Sequence, residues 1–220
     1  MKSINLKNYK ILVTAGSTWV AIDTVRVITN IFKGKIGLTI AETAASLGAD
    51  VTLLLGPSLD ISKYENAKNL KILRFKYFNE LDELMQKQLR ENKFDAVIHS
   101  AAVSDFKVSK EFNGKIKSDK GSVILELVPT KKIVDYIKKV SQDTFLVKFK
   151  LEVGITDDEL LVVANKSIKQ SSADLIVANI YNPSSSDHEA YLVDKAGNTV
   201  KVLGRENIAN GVLCKIYEGK

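Results

Sequence analysis

Lys10-Ile11-Leu12-Val13-Thr14 is a short apolar run that breaks into four small residues, Ala15-Gly16-Ser17-Thr18. A buried strand that stops at a small-residue turn is the opening unit of an α/β sheet, and the alternation continues outward from it. Apolar and small residues recur at helical spacing over 35–47, and Gly48 closes that helix. A second strand covers 51–55, stopped by Gly56-Pro57, and a third covers 70–75. An amphipathic helix follows over 80–90, with Leu81, Leu84, Met85 and Leu89 on one stripe. A fourth strand, 96–98, ends in His99-Ser100-Ala101-Ala102.

The second half breaks this rhythm once. Residues 106–121 are polar and lysine-rich without apolar periodicity, and read as a long flap. A strand is expected over 123–127, a helix over 130–140, a strand over 145–149, a helix over 156–170 and a strand over 174–178. Strands at 191–193 and 199–202 flank Lys195-Ala196-Gly197-Asn198, a hairpin signal, and a helix over 207–217 closes the chain. Strands alternating with helices predict an α/β fold: a Rossmann-like, doubly wound, mostly parallel sheet. The hairpin, about 188–203, does not fit that layout and is expected to protrude. The whole of 1–220 reads as one domain.

The bulk composition narrows the function classes. With 45% hydrophobic residues in a chain of 220, a substantial core is available. No apolar run approaches the roughly 20 residues of a membrane helix, and the first ten residues carry lysines without a signal-type apolar stretch, so a cytoplasmic, membrane-free protein is expected. The one cysteine, Cys214, lies in an apolar pattern and reads as a packing residue. Two separated histidines without a partnering Cys or Glu motif argue against a structural zinc. The net charge of +6 is spread along the chain, and aromatics do not interleave with the basic positions. That pattern fits a phosphate-rich small molecule better than a nucleic acid.

In a doubly wound sheet, ligands bind beyond the carboxyl ends of the strands. Two small-residue turns should lie there. Gly16, Ser17 and Thr18 offer backbone N–H groups and two hydroxyls as an anion cradle, or form an ordinary turn. Ala101 and Ala102 would let a flat ligand approach the backbone, and Asp105 would accept from a base or ribose, or cap a turn. Asn30 reads as a substrate contact or as a helix cap. Lys115, in Gly114-Lys115-Ile116-Lys117, could close from the flap onto phosphates, against the plainer reading of a solvated charge run. Lys131 and Lys132 open a predicted helix, where cations oppose the dipole, which makes more sense if an anion shares the site with Ile133 and Val134. Phe149 could stack on a base or pack in the core, and Lys166 and Lys169 could face phosphates. Tyr64-Glu65-Asn66-Ala67-Lys68 has the Y-x-x-x-K spacing of a short-chain dehydrogenase, but follows the second strand and lacks a glycine-rich turn for NAD.

In order along the chain, Val13-Thr14-Ala15-Gly16-Ser17-Thr18, Ile22-Asp23-Thr24-Val25-Arg26-Val27-Ile28-Thr29-Asn30 and Gly34-Lys35-Ile36-Gly37 are followed by Ala101-Ala102-Val103-Ser104-Asp105-Phe106 and Gly114-Lys115-Ile116-Lys117. Phe149-Lys150-Leu151-Glu152 and Ala173-Asp174-Leu175-Ile176-Val177-Ala178-Asn179 complete the series. This ordered set resembles the motifs of the phosphopantothenoylcysteine synthetase family over nearly the whole chain, in its stand-alone form. The resemblance implies a ligase of coenzyme A biosynthesis that condenses 4′-phosphopantothenate with L-cysteine through an acyl-nucleotide made from CTP or ATP with Mg²⁺. It further implies a cytoplasmic homodimer joined through the hairpin, and a separate decarboxylase protein for the following step. Carried over by position, Asn30 would orient the carboxyl and acyl intermediate, and Lys115 would act from the flap. Asp105 and Phe149 would hold the nucleoside; Lys166, Lys169 and the backbone of 131–134 would meet the triphosphate. Three places depart from the pattern. Ser17 replaces a glycine, Asn30-Ile31-Phe32-Lys33-Gly34 lacks two small polar residues, and Thr130-Lys131-Lys132-Ile133-Val134 keeps only its last two positions. The alternatives are an NAD(P)-dependent reductase of Rossmann type and a phosphate-ligand-binding, non-catalytic member of the fold.

Overall fold

The computed structural model describes residues 4–64, 67–119, 121–184 and 188–219. Their strands are β1 (Lys10–Ala15), β2 (Trp19–Ala21), β3 (Val27–Thr29), β4 (Asp50–Leu55), β5 (Leu70–Arg74), β6 (Ala96–His99), β7 (Phe106–Val108), β8 (Leu127–Pro129), β9 (Phe145–Glu152), β10 (Leu175–Ile180), β11 (Glu189–Asp194) and β12 (Thr199–Leu203). The helices are α1 (Lys35–Ser46), α2 (Phe78–Glu91), α3 (Val134–Val140), α4 (Asp157–Ser171) and α5 (Arg205–Glu218).

Eight strands form one sheet in the order β12-β11-β10-β9-β6-β1-β4-β5, and two short pairs, β2-β3 and β7-β8, stand apart from it. From β5 to β10 neighbouring strands are parallel, as the alternating pattern predicts. The chain leaves β1 for β4 on one side and later returns to β6 on the other, so the strand order reverses between β1 and β6. Successive side chains of a strand face opposite ways. Ile11, Val13, Ile98 and Val147 therefore join one core with Leu38, Ile40 and Ala41 of α1 and Leu213 of α5. Leu12, Val97, Leu146 and Ile176 join the other, under Leu81 and Met85 of α2, Ile137 of α3 and Leu160 of α4. Each fully buried Leu or Ile contributes about 1.5–3 kcal/mol by leaving water. Helix starts are capped where the sequence permits: at α4, Thr156 Oγ1 accepts from Glu159 N at 3.3 Å while the Glu159 carboxylate accepts from Thr156 N at 2.8 Å.

Three elements differ from the sequence reading. The strand expected over 123–127 is absent; only Leu127–Pro129 is extended and paired, with Phe106–Val108. The place beside β6 where such a strand would find a ladder belongs to β9, and Val123 and Ile124 are exposed. The flap consequently has a small β base. The helix expected from 130 begins at Val134, because Thr130 is held elsewhere: its N–H donates to Asp105 O at 2.9 Å and its hydroxyl to Ser104 O at 2.7 Å. The hairpin does not project from the sheet. β11 pairs antiparallel with β10 from Leu175↔Asp194 to Ala178↔Tyr191, making β11 and β12 the sheet's antiparallel edge. Leu192, 2% exposed, holds it there by packing into the core, and Lys215 of α5 lies 3.4 Å from Asp194. In the Tyr64–Lys68 segment, Tyr64 ends a short 3-10 turn, while Glu65 and Asn66 lie outside the described residues. Cys214 lies half-buried on α5.

Candidate functional site at the carboxyl edge of the sheet

The turn after β1 and the turn after β6 are laced together across the switch point. Ala102 N donates to Gly16 O at 2.9 Å, Thr18 N to Ala102 O at 3.4 Å, and Ser104 N to Thr18 Oγ1 at 2.9 Å. Beneath them Ala101 N donates to Thr14 Oγ1 at 3.1 Å, and that oxygen lies 3.0 Å from His99 Nδ1. Ser17 and Thr18 are fully buried, and Ser17 Oγ donates to Phe32 O. The two hydroxyls expected to face an anion are therefore committed within the protein, Thr18 to the second turn and Ser17 to the loop at Phe32.

Helix α1 starts against this turn. Its N-cap is Gly34 at φ 87°, and a Cβ there would sit 2.2 Å from Gly16 N. Only glycine permits that approach. The loop before it is pinned at several points. Asn30 Nδ2 donates to Ala102 O at 3.1 Å, and Phe32 packs edge-to-face on Tyr181 with ring centroids 5.3 Å apart. Asn30 is exposed and does not cap α1, so the capping interpretation gives way to a link between the loop and the second turn. Phe32, one of the departures noted above, anchors the loop in place of small polar residues.

The lysines expected to share an external anion are found on carboxylates of the protein itself. Lys131 Nζ lies 2.6 Å from the Asp82 carboxylate, joining α3's approach to α2, and Lys132 pairs with Asp105. Both side chains of the Lys132–Asp105 pair are more than half exposed, so a ligand can part them at a cost of about 0–1 kcal/mol. Ile133 and Val134 are buried in the core and offer only backbone. Phe149 packs partly buried against the core on the α1/α5 side. Lys166 and Lys169 are exposed on α4, whose apolar face packs into the opposite core. The structure thus brings together Gly16, Ser17, Thr18, Asn30, Ala101, Ala102, Asp105 and Lys132, while Phe149 and the α4 lysines lie on opposite faces of the sheet. Lys115 is exposed on the flap.

Two groups of residues carry the site without having been assigned a part in it. The first is a polar row across the sheet. Thr14 pairs with His99 and His99 with Lys148 on adjacent strands, and Lys148 Nζ donates to Ser167 Oγ of α4 at 3.0 Å. Burial first, and then the neighbouring Lys148 charge, hold the His99 imidazole down at about 4. Burial also lowers the Lys148 ammonium, opposed by Asp135 and assisted by Lys150 and Lys132. The second is Asp23 with Arg26, at the tip of the β2–β3 hairpin. The N–H of Ile116, the strongest influence, together with those of Val25 and Arg26 and the Arg26 guanidinium, draws the Asp23 carboxyl down to about 2 against its burial. A cleft of about 310 Å³ between this tip and the flap is lined by Ile22, Arg26, Ile116, Lys117, Val123 and Leu125, among others. An open depression of about 710 Å³ lies at the other end of the sheet, lined by Lys10 and Asp50, where β1 and β4 begin. The carboxyl edge is preferred as the site because the strand order reverses there and the glycine-tight turns converge there.

Among the described residues no helix is long and apolar enough to cross a membrane. Residues 6–219 match the DNA/pantothenate metabolism flavoprotein C-terminal domain. The chain is 40% identical over 192 residues to the coenzyme A biosynthesis bifunctional protein CoaBC of Thermococcus kodakarensis, covering 87% of this chain and 46% of that protein. It spans about half the length of the curated relatives it matches. Among solved structures it resembles the DNA/pantothenate metabolism flavoprotein of Streptococcus pneumoniae, with a TM-score of 0.86 and 34% identity over 96% of this chain and 100% of that one. It also resembles the C-terminal domain of a CoaBC protein, with a TM-score of 0.78 and 25% identity over 97% and 96% of the two chains.

Proposed function

The chain belongs to the DNA/pantothenate metabolism flavoprotein C-terminal domain family, the phosphopantothenoylcysteine synthetases, and from that premise we propose that it condenses 4′-phosphopantothenate with L-cysteine at the expense of CTP or ATP in coenzyme A biosynthesis. The observation that carries this reading to named residues is the convergence, at the β1/β6 switch point, of Asn30 with the two laced turns.

In the proposed reaction the carboxylate of phosphopantothenate attacks the α-phosphorus of the nucleotide, and pyrophosphate leaves. The cysteine amine then attacks the acyl carbon of the mixed anhydride, loses a proton and expels the nucleoside monophosphate. Such chemistry needs positioning and charge stabilisation rather than a covalent nucleophile. Asn30 is assigned to the acyl group: its amide lies on the second turn and carries a second N–H for a developing oxyanion. Asp105 and Lys132 are assigned to the nucleotide, their exposed pair opening as it enters. Lys115 is assigned, from the flap, to the charge that develops as pyrophosphate leaves, and Lys166 and Lys169 to the outer end of the triphosphate. Ser17 and Thr18 are assigned to backbone shape, their side chains being buried. Phe149 is retained as the floor beneath a base.

Among the described residues no group of three or more His, Cys, Asp or Glu side chains could hold a metal ion. A magnesium ion would arrive on the triphosphate, as is usual for phosphate-bound Mg²⁺, and no step is assigned to it. We further place self-association of two chains at the β11–β12 edge, where Val200 and Leu203 are exposed on the outermost strand; sedimentation at micromolar concentration should then report a dimer.

The deciding measurement is pyrophosphate release from the purified chain with CTP or ATP, with and without 4′-phosphopantothenate. Release that requires phosphopantothenate, followed by cysteine-dependent product, is expected. No release with either nucleotide overturns the reading, and a fluorescence change with NADPH in its place would support the reductase.

A further inference from the structure

Asp23 is a buried carboxylate in an exposed loop. Its side chain has no solvent exposure, although Thr24, Val25 and Arg26 beside it are exposed. The loop's own needs account for one of its oxygens: Oδ1 accepts from Val25 N at 2.9 Å and Arg26 N at 2.8 Å, closing the turn between β2 and β3. The other oxygen reaches out of the loop. Oδ2 pairs with the Arg26 guanidinium and accepts from Ile116 N, 93 residues away in sequence, at 3.0 Å. Arg26 Nη1 in turn donates to Ile116 O at 3.4 Å, so both backbone groups of Ile116 are held.

A second tether sits four residues earlier on the flap, where Phe112 N donates to Ile22 O at 3.0 Å. The segment between the tethers is Asn113-Gly114-Lys115, turned at Gly114 with φ 74° and exposed at Lys115. Lys115 therefore projects from backbone fixed on both sides to the same hairpin tip. The other end of that hairpin is the site itself. β2 leaves Thr18, β3 delivers Asn30, and Thr29 Oγ1 donates to Thr18 O at 3.0 Å. One short ribbon thus carries Asn30 at its root and the flap tether at its tip.

We propose that Asp23 is a positioning residue: by gripping Ile116 it latches the flap to the β2–β3 ribbon and sets Lys115 in fixed relation to Asn30. Hydrogen bonds to an ionised carboxylate are about twice as strong as neutral ones, and a carboxylate with four donors cannot lose its partners without leaving a buried charge. Asparagine at this position can still close its own turn through one oxygen, but its NH2 would face the Ile116 N–H and the guanidinium as a donor, and alanine holds neither. The proposal rests on the ligase reading only for its catalytic consequence. The latch itself is a property of the free protein and can be measured without any substrate.

The test compares the intact chain with Asp23→Ala, Asp23→Asn, Ile116→Pro and Lys115→Ala. Ile116→Pro removes the flap's N–H while leaving the 22–26 turn untouched, so it serves if the Asp23 variants unfold. Hydrogen exchange of the flap amides and trypsin cleavage after Lys117 are read on variants that unfold cooperatively, residue 116 being left out of the exchange comparison for Ile116→Pro, which has no amide there. Loss of the latch should speed cleavage, and the exchange of the amides at 112–118, at least tenfold. Lys115→Ala should leave the exchange of these amides unchanged. With phosphopantothenate, CTP or ATP and cysteine, the latch variants should lose kcat at least tenfold with nucleotide KM within threefold, because the lysine is misplaced rather than the nucleotide site. Flap exchange unchanged in a folded Asp23→Ala or Ile116→Pro protein overturns the latch. Loosened exchange with kcat intact overturns the positioning role. An intact chain inactive with either nucleotide defeats the ligase reading while leaving the exchange result standing.

Discussion

At the scale of single residues, Asn30 is the most exposed claim. Its amide is tied to Ala102 O and lies on the surface, where it adds nothing to the core. Removing one donor aimed at a developing oxyanion typically lowers kcat by about 10²–10³-fold. Asn30→Ala should therefore lose that much turnover in the pyrophosphate assay while its unfolding midpoint stays near that of the parent; activity within threefold of the parent would remove Asn30 from the mechanism. Lys132 allows a different separation. Its pair with Asp105 is largely exposed, so Lys132→Ala should change stability by less than about 1 kcal/mol. If the ammonium meets phosphate, nucleotide KM should rise roughly tenfold or more with kcat little altered, and titrating nucleotide into both proteins measures it. The sequence could name Lys131 and Lys132 as cations in an unusual place, but not their partners. Asp82 and Asp105 are distant in sequence and become neighbours only through α2 and the β6 turn. Asp23 escaped assignment for the same reason, since its decisive contact is with Ile116.

At the scale of elements, legibility followed burial. β1, β4, β6 and β10 were readable because most of their residues are buried between two layers of helices, which leaves short apolar runs in the sequence. β2 and β3 were not, being three residues each with largely exposed or half-exposed side chains and no place in the main sheet. Helix α1 shows what the motif glycines do. A Cβ on Gly37 would come 2.3 Å from Ser100 Oγ and 2.7 Å from Ala15 Cβ, and one on Gly34 would strike the Gly16 backbone in a left-handed conformation. The hydroxyl of Ser100 can rotate away and Ala15 Cβ must shift with β1, whereas at Gly34 the closer clash is with backbone on both sides. Gly37→Ala should therefore cost about 1–3 kcal/mol, partly offset by alanine's better helix propensity. Gly34→Ala should cost roughly 3 kcal/mol or more, lowering Tm by about 6–12 °C for a chain of this size. Calorimetry on the two variants would show the order; a Gly34→Ala protein as stable as the parent would mean that α1 does not press on the first turn as described.

At the scale of the whole molecule, the sheet that places the two turns also holds a half-buried titrating group beneath them, and stability should depend on pH accordingly. His99 is held at about 4 against an ordinary 6.5, chiefly by burial. Between those values the unfolded chain binds a proton that the folded chain refuses. The contribution is thus complete above 6.5 and is lost as pH falls toward 4. The full shift corresponds to at most about 3 kcal/mol, of which roughly 2 should be gone at pH 5. Asp23 and Asp174 do not share this window. Their folded values are lowered from 3.8, so their contributions are present above 3.8 and are lost only at more acid pH. Denaturant unfolding at pH 7 and pH 5 reads the global effect, and His99→Asn, which keeps a polar atom toward Thr14, should flatten it. The chain has only two histidines, so ring-proton titration by NMR can follow both directly. One imidazole should stay neutral down to about pH 4 and should titrate higher in Lys148→Met, since the Lys148 charge is the second influence on it. Two histidines titrating near 6.5 in the folded protein would show that the polar row is open to water, and the support drawn under the laced turns would have to be redrawn with it.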